Sequence, residues 1–382
     1  MKPKRRQFLK ILGGGTIVAA GGAGAFLATR TPGRALAPWD SAGQGYDDPR
    51  LTALSWAILA PNPHNRQPWV VGLDGDDGFT LFAQSDRKLP HTDPYDRQIT
   101  IGLGCFLELT RIAAGAIGYE AGITPFPEGQ PFPVLDGRPV AQVKLTRTDQ
   151  KPDPLFSAVP ERRSCKEPYD LTRPVSTEDL GQLAGLSDES ITVQTAVDDE
   201  TVEILRDIGW RSHLIESETP RTYMESVELM RVGKTQIESN PDGIALGGPL
   251  LDTLQLLGIF NKEKLADKGS AMYLQGLTIY QELHANTPAF VWLKTPGNSR
   301  LDQLAAGRAW LRLNLTTTKL GLALHPISQS LQEYREMAEV FEEVHSLLET
   351  KGFERVQMLG RLGYGPDAPP TPRWSLETRL KT

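Results

Sequence analysis

The stretch Ala60-Pro61-Asn62-Pro63-His64-Asn65-Arg66-Gln67-Pro68-Trp69 constrains this chain more than any other. Each proline removes a backbone donor and pushes the residue before it towards extended geometry, so no helix runs through the segment. Upstream, Asp48-Pro49 opens a pattern in which Leu51, Leu54, Ala57 and Ile58 recur at helical spacing, and that helix must end by Pro61. A β-prone run begins at Trp69. The segment is therefore a rigid, amide-rich loop. Read as a site, it presents side-chain amides and backbone N–H groups to a flat ligand with several hydrogen-bonding edges; read blandly, it is a helix-to-strand turn.

Downstream, Trp69 to Leu73 and Phe79 to Ala83 flank a turn of Asp and Gly, which predicts a hairpin. Leu103, Phe106, Leu107, Ala113, Ala114 and Ile117 predict a core helix over 101–117, stopped by Gly118. A Pro/Gly-rich connection over 124–140 precedes a strand at 140–145, and Lys151-Pro152-Asp153-Pro154 reads as a boundary. In the second half the patterns predict a short helix over 177–186, a strand over 191–197, helices over 201–211 and 221–231, and a strand over 287–293. The stretch 238–258, with its Gly and Pro, reads as a surface loop or a mobile cover. Residues 302–323 form the strongest helical pattern, apolar nearly all round as a central helix requires, and a last strand follows near 354–363.

The N-terminus reads as a leader. Lys2 to Lys10 carries Arg5-Arg6, and a glycine-rich apolar run follows to Ala28. That arrangement predicts a twin-arginine signal, export through the twin-arginine translocase and a periplasmic location. Ala35-Leu36-Ala37 has the form of a cleavage site, but Pro38 follows it, leaving open whether the leader (1–37) is removed or stays as an anchor. The formal charge of −6 with scattered cations argues against a nucleic-acid partner. Two cysteines, Cys105 and Cys165, give no disulfide framework, and no two of the six histidines stand at i, i+3 or i, i+4, which argues against a metal centre.

A second basic segment, Glu161-Arg162-Arg163-Ser164-Cys165-Lys166, gathers cations around a hydroxyl, a composition suited to a phosphate or to a solvated turn. Several segments together resemble the nitroreductase family of FMN enzymes, most closely its Acg-like branch. His64-Asn65-Arg66-Gln67-Pro68-Trp69 is similar to the family's Asn-x-Gln-Pro-Trp loop. Arg162, Ser164 and Lys166 match its Arg-x-Ser-x-Arg/Lys phosphate segment. Gly321 to Ser328, with Pro326, Ile327 and Ser328, resembles the piece lying along the flavin ring, and the Gly-Tyr-Gly and Pro-x-Arg endings supply Arg361 and Arg373.

The resemblance implies an α+β nitroreductase-like fold. The phosphate segment and Arg373 occur only in the second half and Gln-Pro-Trp only in the first, which implies two half-domains (47–150 and 154–382) forming an internal pseudo-dimer with one FMN site. Pro61, Asn62, Pro63, His64 and Asn65 would flank the flavin from one side and the second-half residues from the other. Asn62 and Pro63 depart from the small hydroxyl residues of the family loop. The implied activity is ping-pong reduction of nitroaromatics, quinones or similar small acceptors, with NAD(P)H the usual family donor and the donor here unknown. A non-catalytic exported flavin-binding protein is the alternative. His64 and His325 could donate protons, but each reads more readily as a structural loop residue.

Overall fold

The structure is a computed structural model that describes residues 31–381. The paired arginines and the apolar run of the leader lie outside these residues. The chain enters through helix α1 (Gly33–Ser41) and α2 (Pro49–Ala57), the latter capped by the Asp48 side chain with Pro49 in its first turn. A hairpin follows, β1 (Trp69–Asp74) and β2 (Gly78–Ala83), then helix α3 (Arg97–Ala116), β3 (Tyr119–Pro125) and β4 (Ala141–Arg147). These four strands form one antiparallel sheet in the order β1-β2-β4-β3.

The second half opens with α4 (Thr177–Ala184) and β5 (Thr192–Ala196). Residues 197–288 are then inserted, holding α5 (Asp199–Glu218), α6 (Pro220–Leu229), β6 (Met230–Val232), α7 (Gly233–Ser239), β7 (Ile244–Leu246), α8 (Pro249–Leu256), α9 (Lys262–Ala266) and α10 (Ala271–Ala285). The chain returns as β8 (Ala289–Thr295), α11 (Arg300–Lys319), β9 (Ala323–Pro326), α12 (Ala338–Leu347) and β10 (Arg355–Gly363). The second antiparallel sheet runs β5-β8-β10-β9. Its order repeats that of the first sheet, strands one, two, four and three, with a long helix between the second and third strands of each. The fold is thus α+β.

Those two long helices, α3 and α11, pack on one another through the main core, which includes Phe106, Leu109, Leu311, Leu313 and Leu315. They touch at glycines. A Cβ built on Gly104 would lie 2.4 Å from the Leu304 carbonyl oxygen, and one on Gly307 would lie 2.1 Å from that of Ile101. The Cys105 thiol donates to the Gly307 carbonyl (3.1 Å) in the same contact; it and Cys165 are both free and buried.

Two expectations change. Residues 119–125, partly read as connection, are a strand because β4 supplies a partner along their whole length. The stretch 238–258 is not a loop throughout: β7 pairs with β6 in parallel and 249–256 is helical. The tail crosses back to the first half, where Lys381 N–H donates to the Val71 carbonyl (2.7 Å).

Candidate functional site

The proline-rich loop is strained. His64, Asn65 and Gln67 have φ of 46, 50 and 50°, a region that non-glycine residues rarely occupy. Side-chain amides hold it there. Asn62 Oδ1 accepts from Gln67 N–H (2.7 Å), Asn65 Nδ2 donates to the Pro372 carbonyl (3.0 Å), and Asn65 Oδ1 accepts from Arg373 Nη1 (2.6 Å). Fully buried Gln67 donates from Nε2 to the Pro241 carbonyl (2.7 Å) and accepts at Oε1 from Trp374 N–H (2.9 Å). The Asn62 amide thus closes the loop on itself, while those of Asn65 and Gln67 bind it to the tail and to the insertion.

Behind the loop, three guanidiniums converge. Arg162 donates from Nη1 to Asn314 Oδ1 (3.0 Å) and from Nη2 to the Leu59 carbonyl (2.9 Å). Arg373 reaches the same carbonyl from Nη2 (3.0 Å). Arg163 lies close enough to depress both neighbours. Burial brings the Arg162 guanidinium down to about 10, with Arg163 adding to the shift, and holds Arg373 well below its usual range, with Arg162 and Arg163 adding. Among the described residues no carboxylate pairs with Arg162 or Arg373, and the buried Nε of Arg373 has no hydrogen-bond partner. Arg373 also donates to the Ala60 and Pro372 carbonyls and to Thr371 Oγ1, so the cluster holds buried positive charge compensated by neutral acceptors, with one N–H left over.

Ser164 is half-buried beside this cluster and Lys166 reaches solvent. Burial pushes the His64 imidazole down to about 4, with Lys166 and Arg66 adding, so it is neutral at pH 7. His325 is held well below its usual value by burial, then by Arg361, Lys166 and His284. Its Nδ1 accepts from Arg361 Nε (3.3 Å), leaving the proton of the neutral ring on Nε2. Lys166 thus sits near both imidazoles. Pro61, Asn62, Pro63, His64, Pro326 and Ser328 are all half-buried, whereas Ile327 packs into the second core with Phe290 and Leu359.

Arg361 is not part of this cluster. Its guanidinium is fully buried and spent on His325, the Leu283, Cys165 and Glu167 carbonyls and the Tyr169 ring. It anchors the basic segment to the end of α10.

Sequence reading did not single out Asn314, Trp39 or Asp242. Asn314 is 2% exposed, and an amide between Leu313 and Leu315 in a core helix was the available signal. Asp242 carries three cations, Arg66 (2.8 Å), Arg87 (3.1 Å) and Arg231 (2.9 Å), and so bolts the insertion to the proline-rich loop. No local pattern announces that.

No protein-family model matches the chain. A Mycobacterium tuberculosis protein whose name assigns it provisionally to the NAD(P)H nitroreductases is 26% identical over 346 residues, covering 85% of this chain and 89% of its own. A second protein of that organism, of uncharacterised function, is 27% identical over 354 residues (86% and 92%). A third, the nitroreductase-named protein acg, is 37% identical over 76 residues (20% and 23%). Among solved structures, a provisionally named nitroreductase from Anabaena variabilis covers 87% of this chain and 91% of its own at 12% identity and a TM-score of 0.46. A nitroreductase with bound FMN from Bacteroides fragilis covers 58% and 94% at 15% identity and a TM-score of 0.32. Over most of its length the chain is therefore similar to proteins named as NAD(P)H nitroreductases.

Proposed function

We propose that this protein is an FMN-binding oxidoreductase of the nitroreductase kind. The reading rests on one observation: Arg162, Arg163 and Arg373 converge beneath a strained loop with no carboxylate on Arg162 or Arg373 and with one guanidinium N–H unpartnered. The residues fit the phosphate of FMN in charge and donor type. Arg162 and Arg373 would hold it together with Ser164, and Lys166 and the loop 61–65 would face the ring with Pro326 and Ser328. FMN supplies two-electron chemistry to a small-molecule acceptor; the protein's part is to orient it and leave one face open. Neutral His64 and His325 would contribute hydrogen bonds rather than act as acids at pH 7.

The two halves act, on this proposal, as an internal pseudo-dimer with one flavin per chain. The shared strand order of the two sheets and the glycine contact between α3 and α11 support that reading. The electron donor is unassigned: NAD(P)H stands in the name of the relatives but is scarce outside the cytoplasm. Export through the twin-arginine translocase is part of the proposal, and replacing Arg5 and Arg6 by Lys should retain the protein in the cytoplasm.

A non-catalytic flavin-binding protein is the second reading. It is favoured by the Asp242 ion pairs and by the Gly243 N–H to Asn65 carbonyl bond (3.2 Å), which close the insertion over the loop. The deciding experiment is anaerobic. The bound flavin is reduced chemically, a nitroaromatic or quinone is added, and the oxidised spectrum is followed. Rapid reoxidation supports the enzyme, and parallel double-reciprocal lines would support the two-step transfer. Persistence of reduced flavin with every acceptor supports the second reading, and a protein that binds no FMN refutes both.

A further inference from the structure

Helix α1 (Gly33–Ser41) overlaps the end of the expected leader (1–37), yet it is built into the arginine cluster. Ala35 is 2% exposed, and its carbonyl accepts from Arg373 N–H (2.8 Å). Trp39 Nε1–H donates to the Thr371 carbonyl (2.8 Å). The Trp39 ring lies 4.7 Å from the guanidinium carbon of Arg163, 5.4 Å from that of Arg373 and 5.7 Å from that of Arg162. One indole therefore faces all three cations.

We infer that α1 caps the phosphate end of the site, with Trp39 as the positioning residue for the three guanidiniums; the inference rests on the FMN reading above. Three like charges this close repel one another, and no carboxylate pairs with Arg162 or Arg373 to offset the repulsion. The negative face of the indole attracts each cation, and its bulk keeps water from the cluster, which lowers the local dielectric and strengthens any guanidinium–phosphate pair. The helix also carries Ala35-Leu36-Ala37. Cleavage after Ala37 would remove the carbonyl that holds the Arg373 backbone and the first turn of the helix that seats Trp39. Processing therefore leaves α1 on the protein: any cut falls before Gly33.

The test compares FMN with riboflavin, which has the same ring and no phosphate, on full-length variants. Trp39→Ala and Trp39→Leu should each weaken FMN binding about ten-fold, as expected for loss of an aromatic face from desolvated cations, and leave riboflavin affinity unchanged. Trp39→Phe, which keeps the face and loses the N–H, should hold FMN nearly as wild type does. The Leu variant retains apolar bulk and keeps the comparison valid if the Ala variant folds poorly. Equal losses for both flavins, or FMN binding unchanged in the Leu variant, would overturn the cap. A wild-type protein that binds neither flavin would instead refute the FMN reading, and the cap with it. Intact mass of the exported protein gives an independent readout: an N-terminus after Ala37 on protein that still carries FMN would also overturn the inference.

Discussion

Gly307→Ala tests the central helix contact on which the site is built. Its new Cβ would lie 2.1 Å from the Ile101 carbonyl oxygen, 2.7 Å from Gly104 Cα and 2.8 Å from Cys105 N, where ordinary contact begins at 3.4 Å. All three obstacles are backbone atoms of α3, so no side-chain rotation relieves them and the helices must separate by about 1 Å. Overpacking of this kind costs about 3 kcal/mol at the upper end of its usual range, against about 1 kcal/mol gained by replacing a mid-helix glycine with alanine. The net expectation is a loss of about 2 kcal/mol, or about 4 °C in Tm at about 2 °C per kcal/mol for a large domain. Gly276→Ala is the control. It also sits mid-helix, in α10, but a Cβ there meets nothing within 4 Å, so it should be neutral or stabilising by up to about 1 kcal/mol. Urea and thermal denaturation of both variants make the comparison. If Gly307→Ala is as stable as Gly276→Ala, α3 and α11 do not approach this closely and the packing argument fails.

Arg162→Ala and Arg373→Ala should each weaken FMN binding by about 1.5–3 kcal/mol, the range for a hydrogen bond to a charged group; unchanged flavin retention in both would remove the phosphate assignment. Glu216 is 7% exposed and, mainly through burial with Glu225 adding, has its carboxyl raised from 4.5 to about 7. The native state holds that proton more tightly than the unfolded chain, so the stabilisation is full below about pH 4.5 and is lost as pH rises through about 7. Glu216→Gln should flatten the fall in Tm between pH 5 and pH 8; an unchanged slope assigns that fall to other groups. Asp242→Asn leaves three guanidiniums without their shared carboxylate, a loss of about 3–5 kcal/mol for a broken buried pair. Hydrogen exchange should then rise in residues 230–246 and in the proline-rich loop; a uniform rise across both sheets would mean that Asp242 stabilises the whole fold rather than the clamp.

The sequence by itself determined the local features that depend on neighbours in the chain. Three prolines forbade helix between Pro61 and Pro68, and the structure has a strained loop there. The all-round apolar pattern of 302–323 marked a central helix, observed as Arg300–Lys319 with Leu311, Leu313 and Leu315 in the core. Periodicity and φ restriction are short-range properties, so they survive without the fold. Polar side chains are different, because the sequence states only what they can donate or accept. The sequence shows the amides of Asn65 and Gln67 only as loop groups, whereas in the fold the tail, 307 and 308 residues away, bonds to them. Arg361 and Arg373 read alike in sequence and both donate to backbone carbonyls, yet Arg361 sits against His325 and Tyr169 while Arg373 meets Arg162 and keeps an unpartnered Nε. Trp39 meets Arg162 and Arg373 only because the tail crosses back over the first half and lays residues 371–373 against α1. That crossing is a property of chain topology, and no window of sequence around Trp39 contains it.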